Sequence, residues 1–327
     1  MKINTYDKCI AIGYIRSMNL QQLEYIVALD THRQFVLAAS TCFVTQPTLS
    51  MQVQKLEEEL GILLFDRTSK GVRPTVAGAK VVQQARQILR EVQQLHEVVQ
   101  LEKGDLVGEL RLGVIPTLAP YLVPLFLVEL VERHPQLRVH VEELQSAQIM
   151  QRLKDHTLDV GLLVTPLDDR ALREIPVLEE PFLGYIAEGH PLYEKVVIEP
   201  ADLDADGLWL LQQGHCFRHQ VLNLCNRPAP AAPRPYTYES GSIETLKQLV
   251  SRTTGYTLVP ELAVLNEVDT NPMIKRFAAP EPVREVSLVV HHGFVRLPLL
   301  ATLRDIILAK LPARLQVGKA GQKIRWK

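Results

Sequence analysis

Two cysteines, Cys216 and Cys225, close the run QQGHCFRHQVLNLCN (212–226), and His215, Arg218 and His219 surround the first of them. Three chemistries fit these residue types. Cys216, Cys225, His215 and His219 supply four zinc ligands by count. Adjacent His215 and Cys216 would need an awkward turn, however, and the close cysteine pair of a structural zinc site is absent. Inert core packing is the commonest fate of any two free cysteines. The third is redox chemistry: a cysteine reacts with oxidants as thiolate, so its pKa must fall toward or below neutrality. Arg218 and protonated His215 or His219 would stabilise that anion, and so would a helix N-terminus at Cys216. Spacing and flanking cations admit this redox reading without preferring it to inert core. Cys42 is expected to be buried packing, and Cys9 is unassigned.

The elements that must position these residues are legible in outline. The chain has 327 residues, 46% apolar and 22% charged, with a net charge of −1. That suffices for two or three cores. No global charge draws it to nucleic acid or membrane, so any DNA contact must come from a local surface. The first residues lack a signal-peptide core, and no stretch reaches the roughly 18 apolar residues of a membrane span. The expectation is a cytoplasmic protein without membrane contact, a compartment in which structural disulfides are rare. There is no cofactor loop and no metal cluster; no cofactor, no metal and no enzymatic activity are expected.

In the back half, GELRLGVIP, LRVHVEE and DVGLLV read as strands separated by helices, which implies a largely parallel sheet. Near residue 181 the rhythm changes. GLWLLQ, YTYES and GYTLVPE read as strands of a second lobe, and EVSLVVHH (285–292) as the strand that returns to the first. A chain that leaves one α/β lobe and comes back makes a hinged pair with a cleft. The turn Pro116-Thr117-Leu118, Ser146 and the segment ESGSIETLKQL, where Ser242 can cap a helix, are placed at that cleft. The basic tail 319–327 is expected to be mobile and is given no function.

In the front half, LQQLEYIVALDTHRQF places Leu23, Ile26, Val27 and Leu29 on one helical face. FVLAAS is a second short helix. In TCFVTQPTLSMQVQKLEEELG, Thr45 is the N-cap, Pro47 sits in the first turn and Gly61 ends the helix. Leu49, Val53, Leu56 and Leu60 form its buried stripe. This is a helix-turn-helix pattern, whose second helix enters the major groove. Gln46, Pro47, Thr48, Ser50, Gln52 and Lys55 are the candidate DNA-reading residues. LFDRTSKGVRPT reads as a two-stranded wing that presents Arg67, Lys70 and Arg73 to phosphates. Glu57, Glu58 and Glu59 are expected to face away from DNA. From Thr75 a longer helix carries Val81, Ala85, Ile88, Val92, Leu95 and Val99 at heptad spacing, which favours pairing with a second copy.

The stretch from Met18 through LFDRTSKGVRPTVAG resembles the DNA-binding domain of the LysR-type transcriptional regulators, most specifically in VTQPTLS and the LFDR turn. The resemblance extends to about residue 315. It implies a winged helix-turn-helix (all-α with a β wing, 18–76), a dimerising linker helix (77–105) and a two-lobe α/β effector domain like the periplasmic binding proteins (106–318). Lobe I takes 108–180 and 285–318, lobe II takes 181–284, and residues 1–17 are an extension. Within the family, RLGVIPTLAPYLVP, GHCFRHQVLNLC, SIETLKQLVSRTTGYTLVPELAV and PEPVREVSLV are similar to the peroxide-sensing branch. This implies that Cys216 reacts with hydrogen peroxide and Cys225 resolves the product into a Cys216–Cys225 disulfide. The implied peroxide pocket holds Thr117, Ser146, His215, Arg218, His219 and His291. The chain departs from the family's pattern here: Phe217 and His219 replace leucine and aspartate, and His291-His292-Gly293 replaces an arginine-proline-glycine whose arginine lines the pocket.

If FRHQVLNL is helical when reduced, nine steps of about 1.5 Å separate the cysteine Cα atoms by roughly 13 Å. A disulfide requires about 7 Å or less, so the segment must unwind. The partners implied are promoter DNA, a second copy of the chain in a dimer or tetramer, hydrogen peroxide, a thiol reductant and RNA polymerase, at the nucleoid. The alternative within the family is a sensor of a small metabolite in the interlobe cleft, with silent cysteines.

Overall fold

Helix α1 (Leu20–His32) opens on a capping box: the Asn19 side chain accepts the Gln22 N–H at 2.9 Å while Gln22 accepts the Asn19 N–H at 3.1 Å. The computed structural model describes residues 18–68, 71–101, 106–204, 207–225, 240–317 and 321–325. The chain divides into two units, one ending at Val99 and one beginning at Gln100. Residues 1–17 with Cys9, Lys70 and most of YTYES lie outside the described residues.

In the first unit, α2 (Phe35–Thr41) and α3 (Gln46–Leu60) follow α1, and β1 (Phe65–Thr68) pairs antiparallel with β2 (Gly71–Pro74). Leu23, Ile26 and Leu29 of α1 meet Leu49, Val53 and Leu56 of α3 in one core. Gly61 ends α3 in the left-handed conformation, at φ 66°. Two expectations for α3 change. Leu60 is exposed, and the fourth buried position is Glu57. Glu57 does not face solvent with its acidic neighbours: its Oε1 accepts the N–H groups of Leu64 (2.7 Å) and Phe65 (3.1 Å), and so anchors the start of the wing.

Thr75 caps α4 (Val76–Leu101), accepting the Gly78 N–H at 2.8 Å. Gly78 has no alternative here, because a Cβ would lie 1.9 Å from the Leu64 carbonyl oxygen. The heptad seam is only partly free. Val82 and Ala85 are buried in the unit's own core, with Val81, Ile88 and Leu89 packed on it. Leu95 is 69% exposed. The part of the seam available to a second copy therefore begins beyond Leu89.

In the second unit, β3 (Gly108–Val114) lies parallel between β4 (Leu137–Glu143) and β5 (Val160–Thr165). All six residues of β5 are buried, as expected of a strand covered on both faces. Helices α5 (Ala119–Arg133) and α6 (Ser146–Lys154) contribute Leu122, Phe126, Leu130, Ile149 and Leu153 to the lobe I core. Strand β6 (Leu172–Ile186) is shared by both lobes. Leu172 to Pro181 pair with β10 (Pro282–His291), and Phe182 to Ile186 pair with β8 (Tyr256–Pro260). The crossing between lobes falls at Pro181 and Phe182. Lobe II adds β7 (Val197–Ile198), α7 (Cys216–Leu224), α8 (Ile243–Val250) and β9 (Ile274–Phe277) around a second core. GLWLLQ forms no strand and contributes only isolated bridges at Leu208 and Leu211.

The return strand begins at Pro282, three residues before the expected start, and this places Arg284 inside the sheet. Helix α9 (Leu297–Lys310) closes lobe I. The tail is not free over its described part: β11 (Gln322–Lys323) pairs parallel with β10. Among the described residues no helix is long and apolar enough to cross a membrane.

Candidate functional site

Helix α7 begins at Cys216 and ends on Cys225, and both thiols are free and buried. The turn before it needs Gly214, whose φ is 94°, a conformation that side chains other than glycine rarely adopt. Cys216 packs in the lobe I core, whereas Phe217, Val221, Leu224 and Cys225 pack in the lobe II core. One short helix thus spans two cores, with one cysteine in each. Nine residue steps of helix leave their Cα atoms about 13 Å apart.

Around Cys216 the structure gathers Thr117, Ser146 and a residue absent from the expected set, Arg284. The Arg284 side chain is fully buried. Its Nη1 donates to Thr117 Oγ1 at 3.0 Å and its Nη2 to the Thr117 carbonyl at 3.1 Å. Its Nε donates to Glu180 Oε2 at 2.8 Å, and the second carboxylate oxygen of Glu180 accepts the Leu262 N–H. The guanidinium also lies 5.3 Å from the centre of the Phe217 ring, which itself stacks on Phe182. The exchange of leucine for Phe217 therefore gives Arg284 an aromatic face. The Ser146 hydroxyl is buried without a conventional hydrogen-bond partner and stands beside the Cys216 thiol.

The electrostatics differ from the expected lowering of the thiol pKa. Burial pushes the Cys216 thiol above its ordinary value; the Arg284 charge, the Ser146 hydroxyl and the N–H groups of Phe217 and Cys216 oppose that effect without cancelling it. Burial, with the Asp204 carboxylate adding to it, pushes Cys225 up to about 11. The cation beside Cys216 is Arg284, not Arg218, whose Nη1 donates to the Leu211 carbonyl at 2.7 Å. His215 is buried, and burial lowers its pKa, so it stands neutral at pH 7 and supplies no positive charge. His219 is exposed, with its ring turned to the His215 carbonyl. His291 is at the wrong end of its strand. Seven residues beyond Arg284, roughly 23 Å along β10, it packs against His156 and His292 with ring centroids 4.4 and 4.3 Å away. Cys216, Cys225, His215 and His219 do not converge as zinc ligands would. Among the described residues no group of three or more His, Cys, Asp or Glu is arranged for a metal ion.

Arg284 had a signal in the sequence. PVREVSLVV is an apolar strand pattern with a single cation inside it, and a cation in a buried strand requires a partner. Its partner, Glu180, lies 104 residues earlier. Ser242 caps α8 through the Thr245 N–H, and the next residue but one, Glu244, accepts the Tyr121 hydroxyl proton at 2.9 Å, tying lobe II to lobe I.

In the first unit, Gln46, Pro47, Gln54 and Lys55 are exposed along one side of α3, and Met51 is exposed among them. Ser50 and Thr48 are half-buried; the Thr48 hydroxyl bonds that of Thr45 at 2.8 Å. Gln52 departs from this face, its Oε1 accepting from Gln22 Nε2 at 3.3 Å. Arg73 is exposed on the wing; Arg67 lies in β1.

Comparison with known proteins follows the same division. Residues 20–79 match the model of the bacterial regulatory helix-turn-helix protein, lysR family, and residues 103–312 match the LysR substrate binding domain. The DNA-binding transcriptional dual regulator OxyR of Escherichia coli is 39% identical over 281 residues, 84% of this chain and 90% of that protein. A full-length OxyR variant from Pseudomonas aeruginosa is similar in structure, with TM-score 0.76 and 34% identity, over 91% of this chain and all of that one. An OxyR variant from Corynebacterium glutamicum, with hydrogen peroxide bound, gives TM-score 0.59 and 30% identity over 89% of this chain and 92% of that one.

Proposed function

The chain belongs to the LysR family of bacterial regulators, and on that premise we propose that it is a DNA-binding transcription regulator that senses hydrogen peroxide through Cys216 and Cys225. The observation that carries this reading is α7 itself: it sets one thiol beside Ser146 and the Arg284 that Thr117 holds, in lobe I, and the other in the core of lobe II.

Thr117 accepts a hydrogen bond from Arg284, which leaves the threonine proton to be donated elsewhere. Ser146 has a buried hydroxyl with no conventional partner. A small polar molecule with two oxygens satisfies both groups, and hydrogen peroxide has that chemistry. The Cys216 thiolate attacks one peroxide oxygen, the O–O bond breaks, and the other oxygen leaves as water once protonated. Arg284 stabilises the negative charge on either side of this step. Cys216 becomes a sulfenic acid. Cys225 then displaces its hydroxyl as water, and the disulfide forms. With about 13 Å between the Cα atoms of the reduced pair and about 7 Å at most in a disulfide, α7 must come apart.

The output is the first unit. On α3, Gln46 and the half-buried Ser50 read base edges, while Lys55, with Arg67, Lys70 and Arg73, holds phosphates. The free part of the α4 seam pairs two copies, and the second unit assembles pairs into tetramers. Remodelling of α7 alters those contacts, the footprint on promoter DNA and the recruitment of RNA polymerase. A cellular thiol reductant resets the pair by exchange. The site of action is the cytoplasm, at the nucleoid, and the protein is a regulator and not an enzyme.

Cys216→Ser tests the assignment. The variant keeps promoter binding and loses the peroxide-dependent change in footprint. Retention of that change removes Cys216 from the mechanism. A footprint that answers to a small metabolite and not to peroxide favours a sensor of the interlobe cleft.

A further inference from the structure

Residues 322–325 run between the strand that carries Arg284 and the helix that joins the two cysteines, and we propose that this segment is a latch that holds α7 helical and delays disulfide formation after Cys216 is oxidised. The proposal rests on the reading of Cys216 and Cys225 as a redox pair.

On one side the segment continues the lobe I sheet. Gln322 N–H donates to the Glu281 carbonyl at 2.8 Å and Ile324 N–H to the Val283 carbonyl at 2.9 Å, in parallel register with Pro282 and Val283. Lys323 ties it down, its Nζ bridging Glu179 of β6 and Glu285 of β10. On the other side the segment presents carbonyl groups to α7. Gln220 Nε2 donates to the Ile324 carbonyl at 2.7 Å, and Asn223 Nδ2 donates to the Arg325 carbonyl at 2.9 Å. The Ile324 side chain packs on the lobe II core.

Gln220 and Asn223 are three residues apart, so they project from one face of α7. Both lie between the cysteines. Gln220 is fully buried, which makes the loss of its bond costly. Both bonds must break when α7 unwinds to let the Cys225 thiol reach the sulfenic sulfur at Cys216, form the S–S bond and release water. The same segment is hydrogen-bonded to the residue next to Arg284. It therefore links the position of the pocket arginine to the state of the switch helix. Its strength sets the interval in which the sulfenic acid persists and the threshold at which the switch commits.

Two variants of the regulator test the latch: one truncated after Gly321, and one of full length with Lys323→Glu, which sets a carboxylate against Glu179 and Glu285. Amide hydrogen exchange is measured on the reduced proteins, with β3 to β5 as the internal standard. In both variants the α7 amides from Gln220 to Leu224 exchange about tenfold faster than in the parent, the worth of one or two hydrogen bonds, while β3 to β5 are unchanged. After stoichiometric hydrogen peroxide, trapping of the sulfenic acid with dimedone shows the first step unaltered and the disulfide forming several-fold faster. Unchanged α7 exchange in Lys323→Glu overturns the latch whatever the cysteines do. An unchanged disulfide rate in variants whose parent does form the bond overturns its kinetic role. If α7 loosens but no disulfide forms in any of the proteins, the redox reading fails and the hold on α7 stands.

Discussion

Glu180 and Arg284 form an ion pair 2.7 Å apart with neither side chain exposed to solvent. Glu180 comes from the strand that runs through both lobes, and Arg284 from the strand that returns to lobe I. The pair fixes the guanidinium between Thr117 and the Phe217 ring, beside Cys216. It therefore joins the strand shared by both lobes to the surroundings of the Cys216 thiol.

Removing one partner of a buried pair leaves the other charge unpaired, at a cost of about 3–5 kcal/mol. Arg284→Ala should destabilise the second unit by that amount in urea unfolding. Burial already holds the Glu180 carboxyl above its ordinary pKa, with the Arg284 charge opposing. Without Arg284, Glu180 takes up a proton more readily. Arg284→Ala,Glu180→Leu together should then recover part of the stability and none of the peroxide reactivity of Cys216. A double variant no more stable than Arg284→Ala would show that the pair is not what the single substitution breaks.

His215 gives the effector unit a pH dependence of known sign. Its pKa is lowered in the folded protein by burial, so the unfolded chain binds the proton more readily. Stability is full above the ordinary histidine value of about 6.5 and falls as the pH drops from there toward the folded value. His190 shifts the same way, again through burial. The urea midpoint should decline between pH 7.5 and 5.5, and His215→Asn should make the decline shallower while His190 keeps it from vanishing. An equal slope in the variant would mean that His215 does not carry this linkage.

Glu57 is the acidic residue that the wing depends on. Replacing it with alanine leaves the Leu64 and Phe65 N–H groups buried without an acceptor, at about 1–3 kcal/mol. Glu57→Ala should lower the melting temperature of the first unit and weaken promoter binding, measured by fluorescence anisotropy. Glu58→Ala, at an exposed neighbour, should do neither.

What the sequence discloses is local, and the comparison of Thr75 with Arg284 shows why. Thr75 accepts the N–H of the residue three positions on, Gly61 ends the helix it follows, and the wing pairs strands only two residues apart in sequence. Each signal lies within a few residues of its effect. Thr117 and Ser146 read as cleft residues and Cys216 as a candidate thiol from the sequence itself, and the family resemblance adds their shared pocket; the structure sets Ser146 and the Thr117-bound Arg284 at Cys216. Arg284 carries no such local signal of its role, which depends on Glu180 and Thr117, distant in sequence. The motif assigns His291 to the pocket, but strand geometry carries it away from the thiol to His156 and His292. Strand β6 has no alternating pattern to disclose it, because it is buried continuously from Val177 to Ile186 and holds Pro176, Pro181, Glu179 and Glu180. Glu57 reads as one of three surface charges because the N–H groups it accepts, those of Leu64 and Phe65, lie beyond the end of its own helix.

The most direct measurement is disulfide mapping on the reduced protein treated with one equivalent of hydrogen peroxide and digested under conditions that prevent thiol exchange. A single crosslinked peptide pair joining Cys216 and Cys225, absent without peroxide and reversed by a thiol reductant, is the predicted result. Free thiols at both positions after the peroxide has been consumed, with promoter binding intact, would contradict it.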